Sequence, residues 1–165
     1  MADRTISERL QPSLLDRLTD NSPGEVSETR DDRVIDVRRL RDIIRRDLSW
    51  LLNTNNAETL FDTEAFPQAA NSVINFGVRE VSGDFTSADR VRMMRASIES
   101  AIELFEPRIR KGTLDVVIRQ DEKLPQSVIV FDIRADMWAQ PVPMELYLRT
   151  EVDVTTGQVR LERSA

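Results

Sequence analysis

The spacing of apolar residues in this chain changes once, at Lys111-Gly112, and that change limits the fold more than any other feature. Before it, apolar residues recur at steps of three and four, the spacing that lines one face of a helix. After it they alternate, the spacing that lines one face of a strand. Asp36 reads as an N-cap, and Val37, Leu40, Ile44, Leu48 and Leu51 share one face of a helix running to about Leu52. Ile43 and Trp50 flank that face and widen the stripe beyond half the circumference, so the helix should be covered on two sides, by the sheet and by either another helix or a partner. Arg38, Arg39, Arg45 and Arg46 fill the remainder, as a solvated face or as a surface for an acidic partner. Thr86-Ser-Ala-Asp89 resembles a capping box and opens a second helix to Phe105, with Val91, Met94, Ile98, Ala101, Ile102 and Phe105 buried. Pro107 ends it, because the residue before a proline is pushed out of helical geometry.

Beyond Gly112 the expected strands are Leu114 to Arg119, Val128 to Ala135, Met144 to Val154 and a short last strand with Val159 and Leu161. A polar turn, Gln120 to Gln126, joins the first two, and Thr155-Thr156-Gly157-Gln158 makes a tight turn into the last. Helices first and a small antiparallel sheet second make an α+β single domain. Between the two long helices, Asn53 to Ala65 is loop-like and Phe66-Pro67 starts a short element. In Ser72-Val-Ile-Asn-Phe-Gly77, Gly77 is placed to hold a positive φ and Asn75 to bond the local backbone.

The first 33 residues look different from the rest. One apolar patch, Leu14-Leu15-x-x-Leu18, forms a short helix capped by Ser13 with Pro12 just outside. Thr19 to Arg33 is rich in Asp, Glu, Ser, Thr and Asn and reads as a linker. The chain thus divides into 1–33, a short helix and flexible linker, and 34–165, the α+β domain. The helix either docks on a partner through Leu14, Leu15 and Leu18 or packs on its own domain.

Composition excludes much chemistry. There is no cysteine and no histidine, so neither a thiolate site nor a Ser-His-Asp triad can be built, and no metal or other cofactor is expected. The five glycines are too scattered for a phosphate loop, and Asp84, Asp89 and Asp121-Glu122 form no metal-loop pattern. A net charge of −6 argues against nucleic acid as a partner. No apolar run reaches the length of a signal peptide or membrane span, so a cytoplasmic protein with no direct membrane insertion is expected. Lys111 and Lys123 are the only lysines. The arginine excess reflects either codon usage or arginine's bidentate pairing with carboxylates.

What remains is carboxylate chemistry. Glycoside hydrolysis needs two facing carboxyl groups, one of them kept protonated. Glu106 is the natural acid, with Glu103 one turn earlier, but the neighbouring Arg108 favours the ionised form. Glu106-Pro107-Arg108 otherwise offers a rigid corner with two opposite charges between helix and sheet, suited to an internal salt bridge or to another chain's charges.

Ser13-Leu-Leu-Asp-Arg-Leu18, Leu40 through Asp47-Leu-Ser-Trp-Leu-Leu-Asn53, Ser72-Val-Ile-Asn-Phe-Gly77, Phe105-Glu-Pro-Arg-Ile109 and the late Thr156-Gly157 occur in an order and spacing that carry a resemblance over nearly the whole chain. The chain resembles the TssE family of type VI secretion baseplate subunits and the related wedge proteins of contractile phage tails. That resemblance implies a structural protein, not an enzyme, in a baseplate wedge with TssF and TssG, near TssK, on the cytoplasmic side of the inner membrane. It implies that the small sheet starts polymerisation of the TssB/TssC sheath by accepting or extending strands, with Glu106, Pro107 and Arg108 in the contact region. On that reading, Glu106→Ala or Arg108→Ala leaves folding intact and reduces sheath assembly. The family also carries the label "lysozyme-like", which makes a peptidoglycan hydrolase using Glu106 the alternative.

Overall fold

The computed structural model describes residues 13–20, 23–24, 37–80, 87–119, 125, 127–138, 144–153 and 155–163. The expected caps Asp36 and Thr86, linker residues 21–22 and 25–33, the acids Asp84 and Asp121-Glu122, and all but Pro125 of the turn Gln120–Gln126 lie outside them. The helices are α1 (Leu14–Leu18), α2 (Val37–Leu52), α3 (Pro67–Ala70), a 3₁₀ turn (Val73–Asn75) and α4 (Ser87–Phe105). The strands follow: β1 (Asp115–Arg119), β2 (Val128–Met137), β3 (Met144–Asp153) and β4 (Val159–Arg163). They form one antiparallel sheet in the order β1-β2-β3-β4, so the α+β expectation holds.

The core lies between one sheet face and the two long helices. Leu40, Ile43, Ile44, Leu48, Leu51 and Leu52 of α2 meet Ile98, Ala101 and Ile102 of α4 over Val116, Phe131, Ile133, Leu146 and Leu148. The odd-numbered residues of β2 and the even-numbered residues of β3 point inward, as a period of two requires. Thr150 is the polar exception on that face. Its buried hydroxyl donates to the Phe131 carbonyl at 3.0 Å. Trp50 departs from the expected stripe: it is 51% exposed, while Leu52 is fully buried. Trp50 sits at the stripe's margin, where the Arg46 guanidinium covers its ring at 4.9 Å in place of an apolar neighbour.

The connection from α2 to α4 is tied down by its backbone. Val78 N–H donates to the Thr54 carbonyl at 2.8 Å and Asn56 N–H to the Val78 carbonyl at 2.9 Å, a parallel bridge between Asn55 and Val78. Gly77 has φ +124° immediately beside it, in the positive region the sequence suggested. Asn75 bonds locally as expected, its side-chain amide donating to the Ala70 carbonyl at 3.0 Å. Asn53, just past α2, reaches across to β4. Its side-chain amide donates to the Val159 carbonyl and its carbonyl accepts from Val159 N–H, both at 2.9 Å.

Candidate functional site

Helix α4 ends where Pro107 requires it to. Glu106 N–H still bonds the Ile102 carbonyl at 2.9 Å, and Ile109 N–H bonds the Glu106 carbonyl at 3.1 Å, so residues 106–109 form a tight turn. The turn is stitched to the far end of β2. Trp138 N–H donates to the Arg108 carbonyl and Arg110 N–H to the Asp136 carbonyl, both at 2.8 Å, making an antiparallel bridge between Ile109 and Met137. The corner therefore continues the β1 side of the sheet along β2.

The two charges of the corner turn toward each other and inward. Glu106 is 4% exposed. Its Oε1 accepts from Arg108 N–H at 3.1 Å and Nε at 2.7 Å, and its Oε2 accepts from Arg108 Nη2 at 2.5 Å. Arg108 Nη2 also donates to Asp47 Oδ2 at 2.7 Å. Burial works against the Arg108 charge, but the Glu106 and Asp47 carboxylates outweigh it and hold its pKa above the ordinary arginine value. What the corner leaves at the surface is the Pro107 ring and the remaining edge of the Arg108 guanidinium.

Asp47 extends the pairing. Its Oδ1 accepts from Arg46 Nε at 2.9 Å and Nη2 at 2.7 Å, and Arg46 Nη1 donates to Asp16 Oδ1 at 2.6 Å. Charges alternate along Asp16–Arg46–Asp47–Arg108–Glu106, from α1 across α2 to the corner. Arg46, expected on a solvated or partner-facing row, instead ties α1 to α2, and Asp47 beside it ties α2 to the corner. The chain of pairs was missed in the sequence, although one signal was present: Asp47 and Asp42 are the acids amid the arginines of α2's polar face.

This arrangement also orients α1. Ser13 caps the helix as expected, its hydroxyl oxygen accepting from Asp16 N–H at 3.4 Å and donating to Asp16 Oδ2 at 2.5 Å. Asp16 faces Arg46, so Leu14, Leu15 and Leu18 face outward, with Leu18 75% exposed. The helix touches its own domain through charge and leaves its apolar face open. The Arg46 hydrogen bond holds the Asp16 carboxyl below its ordinary value of 3.8, against the opposing effect of burial. The tie is then fully present above about pH 4 and is lost as pH falls through the lowered native value. Methyl resonances of Leu14, Leu15 and Leu18 should shift together in an acid titration, and Asp16→Asn should show the acid spectrum at neutral pH. Leucine signals indifferent to both would mean that another contact holds α1.

Chemically the cluster is poor in options. Among the described residues, the hydrogen bonds to the Glu106 carboxylate all come from Arg108, an arrangement in which the carboxylate accepts and does not donate. A separate pocket of about 390 Å³, lined by residues that include Asn53, Arg79, Met94, Ser97 and Gln158, shares no residue with the cluster. Glu80 is its only acid among the described residues, so two facing carboxylates are not found there either. No group of three potential metal ligands occurs among the described residues, and no described helix is long and apolar enough to cross a membrane.

Residues 38–142 match the model of a family described as baseplate wedge protein gp25. The matched stretch runs from the start of α2 to the end of the β2–β3 connection and holds Asp47, Glu106 and Arg108. This bears out, at the level of the family, the resemblance drawn from the sequence motifs. Comparison with curated proteins gave no significant match. Among solved structures, a chain from "The baseplate complex from the type VI secretion system" is similar at a TM-score of 0.44 and 11% identity, over 77% of this chain and 97% of that one.

Proposed function

We infer that this chain, which belongs to the baseplate wedge protein gp25 family, is a structural part of a contractile injection machine's baseplate and acts by binding other subunits rather than by catalysis. The observation that carries this is the match across residues 38–142, which includes the partly buried Asp47–Arg108–Glu106 cluster. With the Glu106 and Asp47 carboxylates both held by Arg108, the corner is a brace between α2, α4 and β2. It is not a reaction centre.

Within the family, the sequence motifs favour the type VI secretion branch. The chain sits on this reading in a wedge with TssF and TssG, near TssK, at the cytoplasmic side of the inner membrane. It lies under the TssB/TssC sheath and starts sheath polymerisation by offering a sheet edge to sheath strands. An open antiparallel edge presents unpaired N–H and C=O groups that template such pairing. The sheath meets the molecule around Glu106, Pro107 and Arg108: Pro107 and the free edge of Arg108 make the contact, and Glu106 holds Arg108 in place. Leu14, Leu15 and Leu18 dock on a wedge subunit, an assignment supported by their outward presentation on α1 and made outside the family match.

Affinity purification of the full chain with the other wedge subunits and sheath subunits co-expressed tests this. The wedge subunits should be retained, and Leu14→Asp with Leu18→Asp should release them without changing the melting temperature, since neither side chain is buried. Recovery of neither wedge nor sheath subunits, or turnover of purified cell wall that is lost in Glu106→Gln, would overturn the reading.

A further inference from the structure

We propose that the connection between α2 and α4 docks a wedge subunit through Leu60, Phe66, Val73 and Ile74, and that the docked segment is apolar and bordered by lysine or arginine. This rests on the baseplate role given above and adds a contact face separate from α1 and from the corner at Pro107.

The connection is inside out. Leu60, Phe66, Val73 and Ile74 are 60–83% exposed, while polar Asn75 beside them is buried. Asn75 Oδ1 has no hydrogen-bond partner among the described residues, so hiding this side chain costs free energy that an ordinary surface turn avoids. The segment is kept from turning over by its neighbours. Phe76 sets its ring edge-on against Phe105, with centroids 5.2 Å apart, and Gly77 passes too close to Thr54 to leave room for a Cβ. With Phe76 held in, Val73 and Ile74 are held out. Single apolar residues at a surface need no explanation, but four on one short connection mark contact with another molecule.

The face is also built in advance. Leu60 N–H bonds the Ala57 carbonyl at 2.9 Å, Phe66 N–H the Asp62 carbonyl at 3.0 Å, Ala70 N–H the Phe66 carbonyl at 3.1 Å and Asn75 N–H the Ser72 carbonyl at 3.0 Å. Successive turns thus hold the four side chains in place, and docking has little further chain to order. With these backbone donors already used, the partner is met by side-chain packing.

Charge selects the occupant. From Asn53 to Val78 the sequence holds Glu58, Asp62 and Glu64 and no lysine or arginine. Glu58 pairs with Arg79 at 3.3 Å. Asp62 and Glu64 are exposed and carry no ion pair among the described residues. Asp62 lies one turn before Phe66, through the backbone bond between them. Apolar side chains beside unneutralised carboxylates fit an apolar segment bordered by bases, and they repel an anionic membrane surface. A second copy is the rival, since α2 presents Trp50 among arginines. That ring is only half exposed and already covered by Arg46, too little to bury four side chains.

Titration of purified wedge subunits into the full chain tests this. Val73→Asp combined with Ile74→Asp should weaken binding by about ten-fold or more and leave the melting temperature unchanged, since both side chains are exposed. Raising the salt from about 0.1 to 1 M should weaken binding of the parent more than that of Glu64→Lys, because it screens the attraction that this substitution removes. Val73 and Ile74 methyl signals should be broadened by a soluble nitroxide in the free chain and shielded from it in the complex. Full-strength binding by the double variant, equal salt dependence of parent and Glu64→Lys, or methyls already shielded in the free chain would each overturn the proposal. So would a dimer of the free chain that the double variant dissolves. Wedge subunits that bind neither parent nor variant would overturn the baseplate reading itself.

Discussion

Gly77→Ala should lower folding stability by about 4 kcal/mol, enough to leave a domain of this size largely unfolded under mild denaturant. Two effects add. At φ +124° a side chain is strained whatever the space around it. There is also no space: a Cβ there would lie 2.2 Å from the Thr54 carbonyl oxygen and 2.8 Å from its carbon. Both are backbone atoms, so no rotamer change relieves the contact. Thr54 O is also the acceptor for Val78 N–H, so moving it away breaks the Asn55–Val78 bridge that holds the α2–α4 connection. Urea unfolding followed by far-UV circular dichroism measures the loss. A midpoint within experimental error of the parent would show that the connection can lift off the end of α2 at little cost.

Arg108→Ala should destabilise by about 3–4 kcal/mol, the lower part of the range for breaking a buried ion pair, and Glu106→Gln by about 2–3 kcal/mol, at or just below that range because Arg108 is only partly buried. In Glu106→Gln, Arg108 keeps Asp47 and some solvent. In Arg108→Ala, a carboxylate that is 4% exposed loses its cation altogether, which is why the arginine substitution should be the worse. At this chain length each kcal/mol moves the melting temperature by roughly 2–4 °C, so drops of about 4–12 °C for Glu106→Gln and about 6–16 °C for Arg108→Ala are expected. Combining the two should add less than the sum, since the second change removes a charge the first has already orphaned. Differential scanning calorimetry on the single and double variants reads all three. Additive losses would show that Glu106 and Arg108 act on stability independently.

The burial of Glu106 alters how the corner must be tested. From sequence, Glu106→Ala and Arg108→Ala were expected to leave folding intact, so that any assembly defect reported on the sheath contact. The three hydrogen bonds on one carboxylate and the salt bridge to Asp47 make both residues part of the frame. A sheath defect in these variants then mixes lost contact with lost stability. Exposed Pro107 is the cleaner probe, since its ring is not packed in the core.

Local periodicity made much of the molecule readable in advance. Steps of three and four located α2 and α4 to within a residue or so and named most of their buried side chains, because a helix sorts residues onto faces by geometry alone. Short apolar runs located β2 and β3, and Pro107 marked the end of α4 because its ring excludes the helical conformation of the residue before it. Trp50 escaped this reasoning: periodicity places a residue on a face but not the neighbour that covers it.

What tertiary structure alone decided was which distant groups meet. Arg108 finds Asp47 across 61 positions, Arg46 finds Asp16 across 30, and Asn53 finds Val159 across 106. No local pattern encodes such pairs, because they arise only when helices pack on a sheet in one register. The sequence by itself determined that Glu106-Pro107-Arg108 forms a rigid corner between helix and sheet. The packing of α2 against it decided that Arg108 pairs with both Glu106 and Asp47, and the packing of α2 beside β4 decided that Asn53 holds the Val159 backbone.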